Sequence, residues 1–234
     1  MKTFLLLLLS LFLVSPVFAQ KIITKTLPLA ADQAVHLDLK FGDSIQVRYW
    51  DKPDVSVRIA ATINNGKLND ALLVETASTA QAVSLKADFD KELIKQGKAE
   101  DCPGTKNQST WRTDKNGDSY SVCSTINYIV FLPRKAALRV ETINGNIDIQ
   151  GATNPVWAKS ISGFVDMSWA GNKGANVALK TITGEVYSDL SIEFKNKREK
   201  HPIVGYLLEG TVLSGGPEVR LESISNNIFL RKEK

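Results

Sequence analysis

The feature that most restricts the fold of this chain is a polar phrase that keeps returning. Residues 141–151 read ETINGNIDIQG, 159–169 read KSISGFVDMSW, 180–190 read KTITGEVYSDL and 222–230 read ESISNNIFL. Anchored on Gly145, Gly163 and Gly184, the copies lie 18 and 21 residues apart, and Asn226 takes the glycine position 42 residues further on. The alignment creates columns. Thr142, Ser160, Thr181 and Ser223 fill one, Ile143, Ile161, Ile182 and Ile224 the next, and Ile147, Val165, Val186 and Ile228 a third. A strand unit of about 20 residues cannot cover its own apolar face and must lend it to a neighbour, so the repeat predicts stacked strand units. The expectation is an all-β chain built as a β-solenoid, single-stranded and β-helix-like, with the isoleucine column buried and stacked. The glycine or asparagine column fits a turn that needs positive φ. A meander of hairpins in a β-sandwich gives similar turn spacing and stands as the alternative.

The segment before the repeats also alternates. AVHLDLKF sets Val35, Leu37, Leu39 and Phe41 on one side and His36, Asp38 and Lys40 on the other, the period of a strand with one wet face. DSIQVRYW and DVSVRIAATI continue in this manner across the turn signal Asp51-Lys52-Pro53, and ALLVETAS and AVSLKADF supply a further strand pair. Only KELIKQGKAE has the composition of a short helix or a loop. Between the third and fourth copies, KNKREKHPIVGYLLEGTVLSGG has room for a coil and a hairpin. The organisation expected is a leader over 1–19, an N-terminal β region over 20–126 with a clipped insertion, and a β-repeat region over 127–234 continuous with the first.

The leader is read from MKTFLLLLLSLFLVSPVFAQ. Lys2 gives a positive start, Phe4 to Val14 an apolar run, and Val17-Phe18-Ala19 a small-residue exit. That run is shorter than the roughly 20 apolar residues of a spanning helix, so cleavage after Ala19, export to the periplasm or cell surface, and no transmembrane span afterwards are expected. In that oxidising setting Cys102 and Cys123, 21 residues apart and flanked by turn formers, should pair. The 29 basic and 25 acidic residues give a formal charge of +4, mixed enough to name no partner. The densest basic cluster, Lys195 to Lys200, reads as a solvated loop, and export removes most access to nucleic acid.

YIVFLPRKAALRVETINGNIDIQG, GEVYSDL and SGGPEVRLESISNNIFLRK resemble the putative adhesin family of bacterial envelope proteins that carry a β-strand repeat domain of unknown function. YWDKPDVSVRIAATINNG looks like the first half of such proteins, so the resemblance runs over nearly the whole mature chain. It implies an all-β, solenoid-like exported protein with no established enzymatic activity. Asn226-Asn227 departs from the pattern where glycine is usual.

Chemistry is sparse. Nucleophilic hydrolysis needs a serine, a histidine and an acid, and no G-x-S-x-G elbow is present. His36 on a wet strand face and His201 beside Pro202 read as surface residues. The repeat glycines are spaced rather than clustered, unlike a phosphate loop. The best enzymatic case is Asp148 and Asp166, which share a column and so stand one rung apart, near enough to share a cation or to act as acid and base on a sugar polymer. That column continues with Tyr187 and Phe229, and such a ladder is equally a wet face with stacking platforms. Trp157, Phe164, Trp169, Tyr187 and Phe229 crowd the repeats, where exposed rings stack on sugars or anchor a protein, and core packing explains them as well. The binding candidates are Asp148, Asp166, Trp157, Trp169 and Tyr187. No catalytic residue, metal ligand or cofactor is assigned. The function expected is a non-enzymatic adhesin or envelope structural protein meeting a surface glycan or an envelope protein; the alternative is a polysaccharide-active enzyme or carbohydrate-binding module.

Overall fold

Period-two alternation decides which side chains turn inward, and the strands follow it closely. The computed structural model describes residues 20–102, 104, 108–113, 118–195, 205 and 207–233. The leader, residues 196–200 of the basic cluster and His201 lie outside the described residues. The first half holds β1 (Lys21–Pro28), β2 (Ala34–Leu39), β3 (Ser44–Trp50), β4 (Asp54–Ile63), β5 (Leu72–Ser78) and β6 (Ala82–Phe89). A hairpin follows, β7 (Gln108–Thr113) and the long β8 (Asp118–Pro133). The repeats supply β9 (Leu138–Thr142), β10 (Asn146–Ala152), β11 (Val156–Ser160), β12 (Val165–Trp169), β13 (Ala175–Thr181) and β14 (Val186–Ser188). Then come β15 (Ile192–Phe194), β16 (Leu207–Val212), β17 (Glu218–Ser223) and β18 (Ile228–Lys232). KELIKQGKAE forms only two 3-10 turns, Ile94–Gln96 and Ala99–Asp101.

These strands form two large mixed sheets. The first runs β1-β4-β8-β3-β10-β12-β18-β14 with β7 on β8, and the second β15-β16-β13-β17-β11-β9-β2-β6-β5. Pairing is parallel from β8 to β14 in the first and from β13 to β6 in the second, with antiparallel strands at the remaining ends. Inward side chains of both sheets, such as Ile45, Ile147, Val165 and Ile228 from the first and Leu37, Val140, Ala158 and Leu221 from the second, join one apolar cluster. A core between two sheets is what the sandwich alternative describes.

The solenoid of sequential rungs is not found. In such an array each copy pairs with the next in sequence, whereas here β17 lies between β11 and β13, and β18 between β12 and β14. The fourth copy is therefore third in space, inserted into both sheets at once. Equivalent positions still meet, Ile147 with Val165, Val165 with Ile228, and Ile228 with Val186.

Two column assignments are corrected by the local geometry. The Thr/Ser column is the buried one: Thr142, Ser160, Thr181 and Ser223 end their strands pointing inward. The isoleucines that follow sit one residue later and turn outward, so Ile161 is 38% and Ile182 42% exposed. The turn glycines Gly145, Gly163 and Gly184 do not adopt positive φ, and neither does Asn226. Glycine is required for a different reason: a Cβ on Gly145 would strike the Gly42 carbonyl, on Gly163 that of Gly145, and on Gly184 that of Asn226. Each turn lies flat against the next. The buried hydroxyls tie the stack together. Ser160 Oγ accepts the Gly163 N–H at 2.9 Å and donates to the Gly145 carbonyl at 2.8 Å, and Ser223 and Thr181 repeat the pattern toward Gly163 and Asn226.

The expected Cys102–Cys123 disulfide is present, with both residues buried and Cα atoms 5.8 Å apart. It stands at the base of the β7–β8 hairpin. Asn64, buried beside it, donates to the Ser121 carbonyl at 2.9 Å and accepts the Cys123 N–H at 3.1 Å, so that corner is held by backbone partners as well.

Candidate functional site

Strand alternation projects the residues between core positions onto the outer face of the first sheet. On β3, β10, β12, β18 and β14 one row reads Gln46, Asp148, Asp166, Phe229 and Tyr187, each in register with its neighbour. Neighbouring strands of a sheet lie about 4.8 Å apart, so Asp148 and Asp166 do stand one rung apart, as the column alignment expects.

Neither carboxylate is left bare. Arg48, two residues past Gln46 on β3, donates to Asp148 Oδ2 at 2.6 Å and to the Asp148 carbonyl at 3.2 Å. Arg231, two residues past Phe229 on β18, donates from Nε to both oxygens of Asp166 at 2.9 and 3.0 Å. The Asp166 hydrogen bond and charge hold the Arg231 guanidinium above its ordinary pKa. Charge that a shared cation would need is already met by the two guanidiniums.

Rings occupy the other half of the face. Tyr187 stacks on Phe229 with centroids 5.3 Å apart and planes 13° from parallel, and Phe164 meets Phe229 edge-on at 6.1 Å. Arg231 lies over Phe229 at 4.7 Å, so one guanidinium joins the acid to the rings. The Tyr187 hydroxyl donates to Glu185 at 2.7 Å, which raises its pKa, and the ring remains 47% exposed. The arginines escaped the sequence reading, which followed carboxylates and rings. Their signal was present: each lies two residues past a wet-face position on its own strand and so shares that face.

The other candidates are elsewhere. Trp169 is 1% exposed, its indole N–H donates to the Lys173 carbonyl at 3.0 Å, and its ring belongs to the core. Trp157 lies on the outer face of the second sheet, in register with Arg139 and Arg220, with the Arg139 guanidinium 3.8 Å from its ring centre. His36 occupies the same row beside Arg139 and is exposed. The structure thus brings together Asp148, Asp166 and Tyr187, and separates both tryptophans from them.

No protein-family model matches the chain, and no curated protein matches it. Among solved structures it is similar to a putative cell adhesion protein from Clostridium sporogenes, with a TM-score of 0.51 at 12% identity over 92% of this chain and 100% of that one. It is also similar to a putative adhesin from Bacteroides fragilis, with a TM-score of 0.33 at 11% identity over 91% and 97% of the two chains. A putative lipid binding protein from Parabacteroides distasonis gives a TM-score of 0.27 at 11% identity over 91% and 97%. The first of these likenesses speaks for the fold that the two chains share.

Proposed function

We propose that this chain is a non-enzymatic, exported β-sheet protein that acts at the bacterial cell envelope by surface contact, in the manner of an adhesin. The observation that carries the reading is the outer face of the first sheet, where rings and planar polar groups are held in fixed positions and Asp148 and Asp166 are both engaged by arginines. A general acid or base needs a carboxyl that can exchange its proton with substrate, and an arginine-bound carboxylate on an open sheet face is poorly set for that task. The leader pattern and the buried disulfide support export. The fold shared with a putative cell adhesion protein agrees with contact as the task. In this reading residues 20–234 act as one continuous β unit.

The test has two arms. Labelled mature protein, offered to envelope preparations from the source cells, is expected to bind saturably; absence of binding overturns the contact reading. The polysaccharide-active alternative rests on the register of Asp148 with Asp166. Incubation with envelope and plant polysaccharides is expected to release no new reducing ends or unsaturated products. Reproducible cleavage that disappears in Asp166→Asn overturns the non-enzymatic reading.

A further inference from the structure

The isoleucines that follow the buried hydroxyls turn outward, and they belong to a larger pattern on the outer face of the second sheet. Residues two apart on a strand share a face, so successive rows cross β2, β9, β11 and β17 in register. The first row holds Ala34, Ala137 and Pro155 and ends on Glu218. The second reads His36, Arg139, Trp157 and Arg220, and the third Asp38, Glu141, Lys159 and Glu222. The fourth is Lys40, Ile143, Ile161 and Ile224, where the turns continue the ladder: the Ile143 N–H donates to the Lys40 carbonyl at 3.1 Å and the Ile161 N–H to the Thr142 carbonyl at 3.2 Å. Charge is sorted by row rather than alternated between strands. The second row has no acid, and in the third Glu141 stands directly beside Asp38. Like charges opposite one another cost stability within one molecule, so solvation alone gives no reason for this order.

We propose that this face docks a second copy of the chain, packed face to face with its strands reversed. The two-fold axis crosses the strands at Leu37, Val140, Ala158 and Leu221, so that the second row meets the third and the first meets the fourth. Arg139 then faces the second copy's Glu141, Arg220 its Glu222 and His36 its Asp38, and the symmetry makes each contact twice. Arg139 spends Nε and Nη2 on one oxygen of its own Glu141, at 2.9 and 2.8 Å, and a guanidinium has further donors for another carboxylate. Ile143 and Ile161 come against the second copy's Ala137 and Pro155, a ridge of branched side chains on a row of small ones. Ile224 against Glu218 is a poor match, and it lies where Glu218 is exposed. At the centre stands Trp157 with the Arg139 guanidinium 3.8 Å from its ring centre, the ring-and-arginine composition in which docking centres are enriched. From β6 to β13 the four rows cover about 600 Å², from strand spacing and rise per residue, and roughly 1,200 Å² over two copies. That is the lower end of a specific interface and fits a dimer that dissociates on dilution. The outer face of the first sheet stays open on both copies and points away from the interface, so the contact reading above is independent of the dimer.

Sedimentation velocity of the folded mature protein over a wide range of concentrations tests this. The wild type is expected to double in mass as its concentration rises. Arg139→Glu sets acid against acid and Glu141→Arg base against base, so each variant alone should dimerise at least about tenfold more weakly. Mixed in equal amounts, the two variants are complementary at both contacts and should dimerise as the wild type does. Arg139→Glu combined with Glu141→Arg in one chain restores the internal pair and the match together, and it should dimerise again. The two side chains are 51% and 37% exposed, so melting temperatures should stay near that of the wild type. A wild type that remains monomeric throughout, single variants that dimerise unimpaired, or failure of the mixture and the double variant to recover overturns the proposal. Saturable binding to envelope preparations by a protein that is monomeric at every concentration overturns the dimer and leaves the contact reading standing.

Discussion

At the scale of single residues, the repeat is governed by how closely one turn lies on the next. Gly163 has ordinary φ, and its Cβ would be driven into the carbonyl of Gly145. Asparagine is tolerated at positive φ but does nothing to relieve a backbone clash. Gly163→Ala and Gly163→Asn should therefore both destabilise by about 1–3 kcal/mol, read from urea unfolding. A clear rescue by asparagine would restore the positive-φ explanation. Asp43 shows a second residue-scale effect. Burial holds its carboxyl above the usual range, against the 2.7 Å hydrogen bond from the Ile126 N–H to Oδ2. With the folded pKa raised above the ordinary carboxyl value, the native state binds this proton more tightly than the unfolded chain. The stability it contributes is complete below that value and is lost as pH rises through the folded pKa. Asp43→Asn keeps an oxygen for Ile126 and removes the charge, so its stability should gain on that of the wild type between acid and neutral pH. Parallel pH profiles in urea unfolding would contradict this.

At the scale of elements, much of the strand map is written in the alternation. Segments such as AVHLDLKF, DVSVRIAATI and AVSLKADF become β2, β4 and β6 with the apolar residues inside. The columns of the repeat were legible too, because equivalent residues do pair across strands. The facing of the isoleucines was not. Composition alone marks them as core, while the strand carries its inward phase through Ser160 and Thr181, and the next residue must point out. The serine and threonine belong inside because each hydroxyl links two turns, a role hidden until the turns are stacked. The arginine partners of Asp148 and Asp166 were hidden for a related reason, since strand neighbours 100 and 65 residues apart in sequence supply them. The outward phase has a measurable consequence. Ile182→Asp places a charge at a position 42% exposed and should change stability by no more than about 0.5 kcal/mol. Ser160→Ala, smaller in chemical change, should cost about 1–3 kcal/mol because it strands a buried N–H and a carbonyl. A melting curve in which Ile182→Asp is the more damaging of the two would reverse the assignment.

At the scale of the whole molecule, the insertion of the last copy between earlier ones changes how the sheets depend on the chain's end. Sequence spacing could suggest that copies stack but not their order, because every copy presents the same column residues and any two could pair. The order is set by sheet pairing. β17 has β11 on one side and β13 on the other, and β18 has β12 and β14. β17 therefore joins β13, β16 and β15 to the rest of the second sheet, and β18 joins the edge strand β14 to the first. In a sequential array, loss of the last copy uncovers one terminal rung and leaves the earlier rungs paired. Here, loss of residues 217–234 removes an internal strand from both sheets at once. It strips β13 of its parallel partner, leaves the inward residues Val165, Met167, Val177 and Leu179 without Val219, Leu221, Ile228 and Leu230 to pack beside, and opens the hydroxyl ladder at Gly163 and Asn226. β13, β16 and the three-residue β15 would remain as a small antiparallel group cut off from the rest of their sheet, and β14 would lose the strand it pairs with. A chain of residues 20–216 should accordingly lose its cooperative thermal transition, or fall out of solution, rather than melt slightly earlier than the full-length protein. Circular dichroism during heating distinguishes the outcomes, and a truncated chain that melts sharply within a few degrees of the intact one would show that the last copy sits at the end of the stack after all.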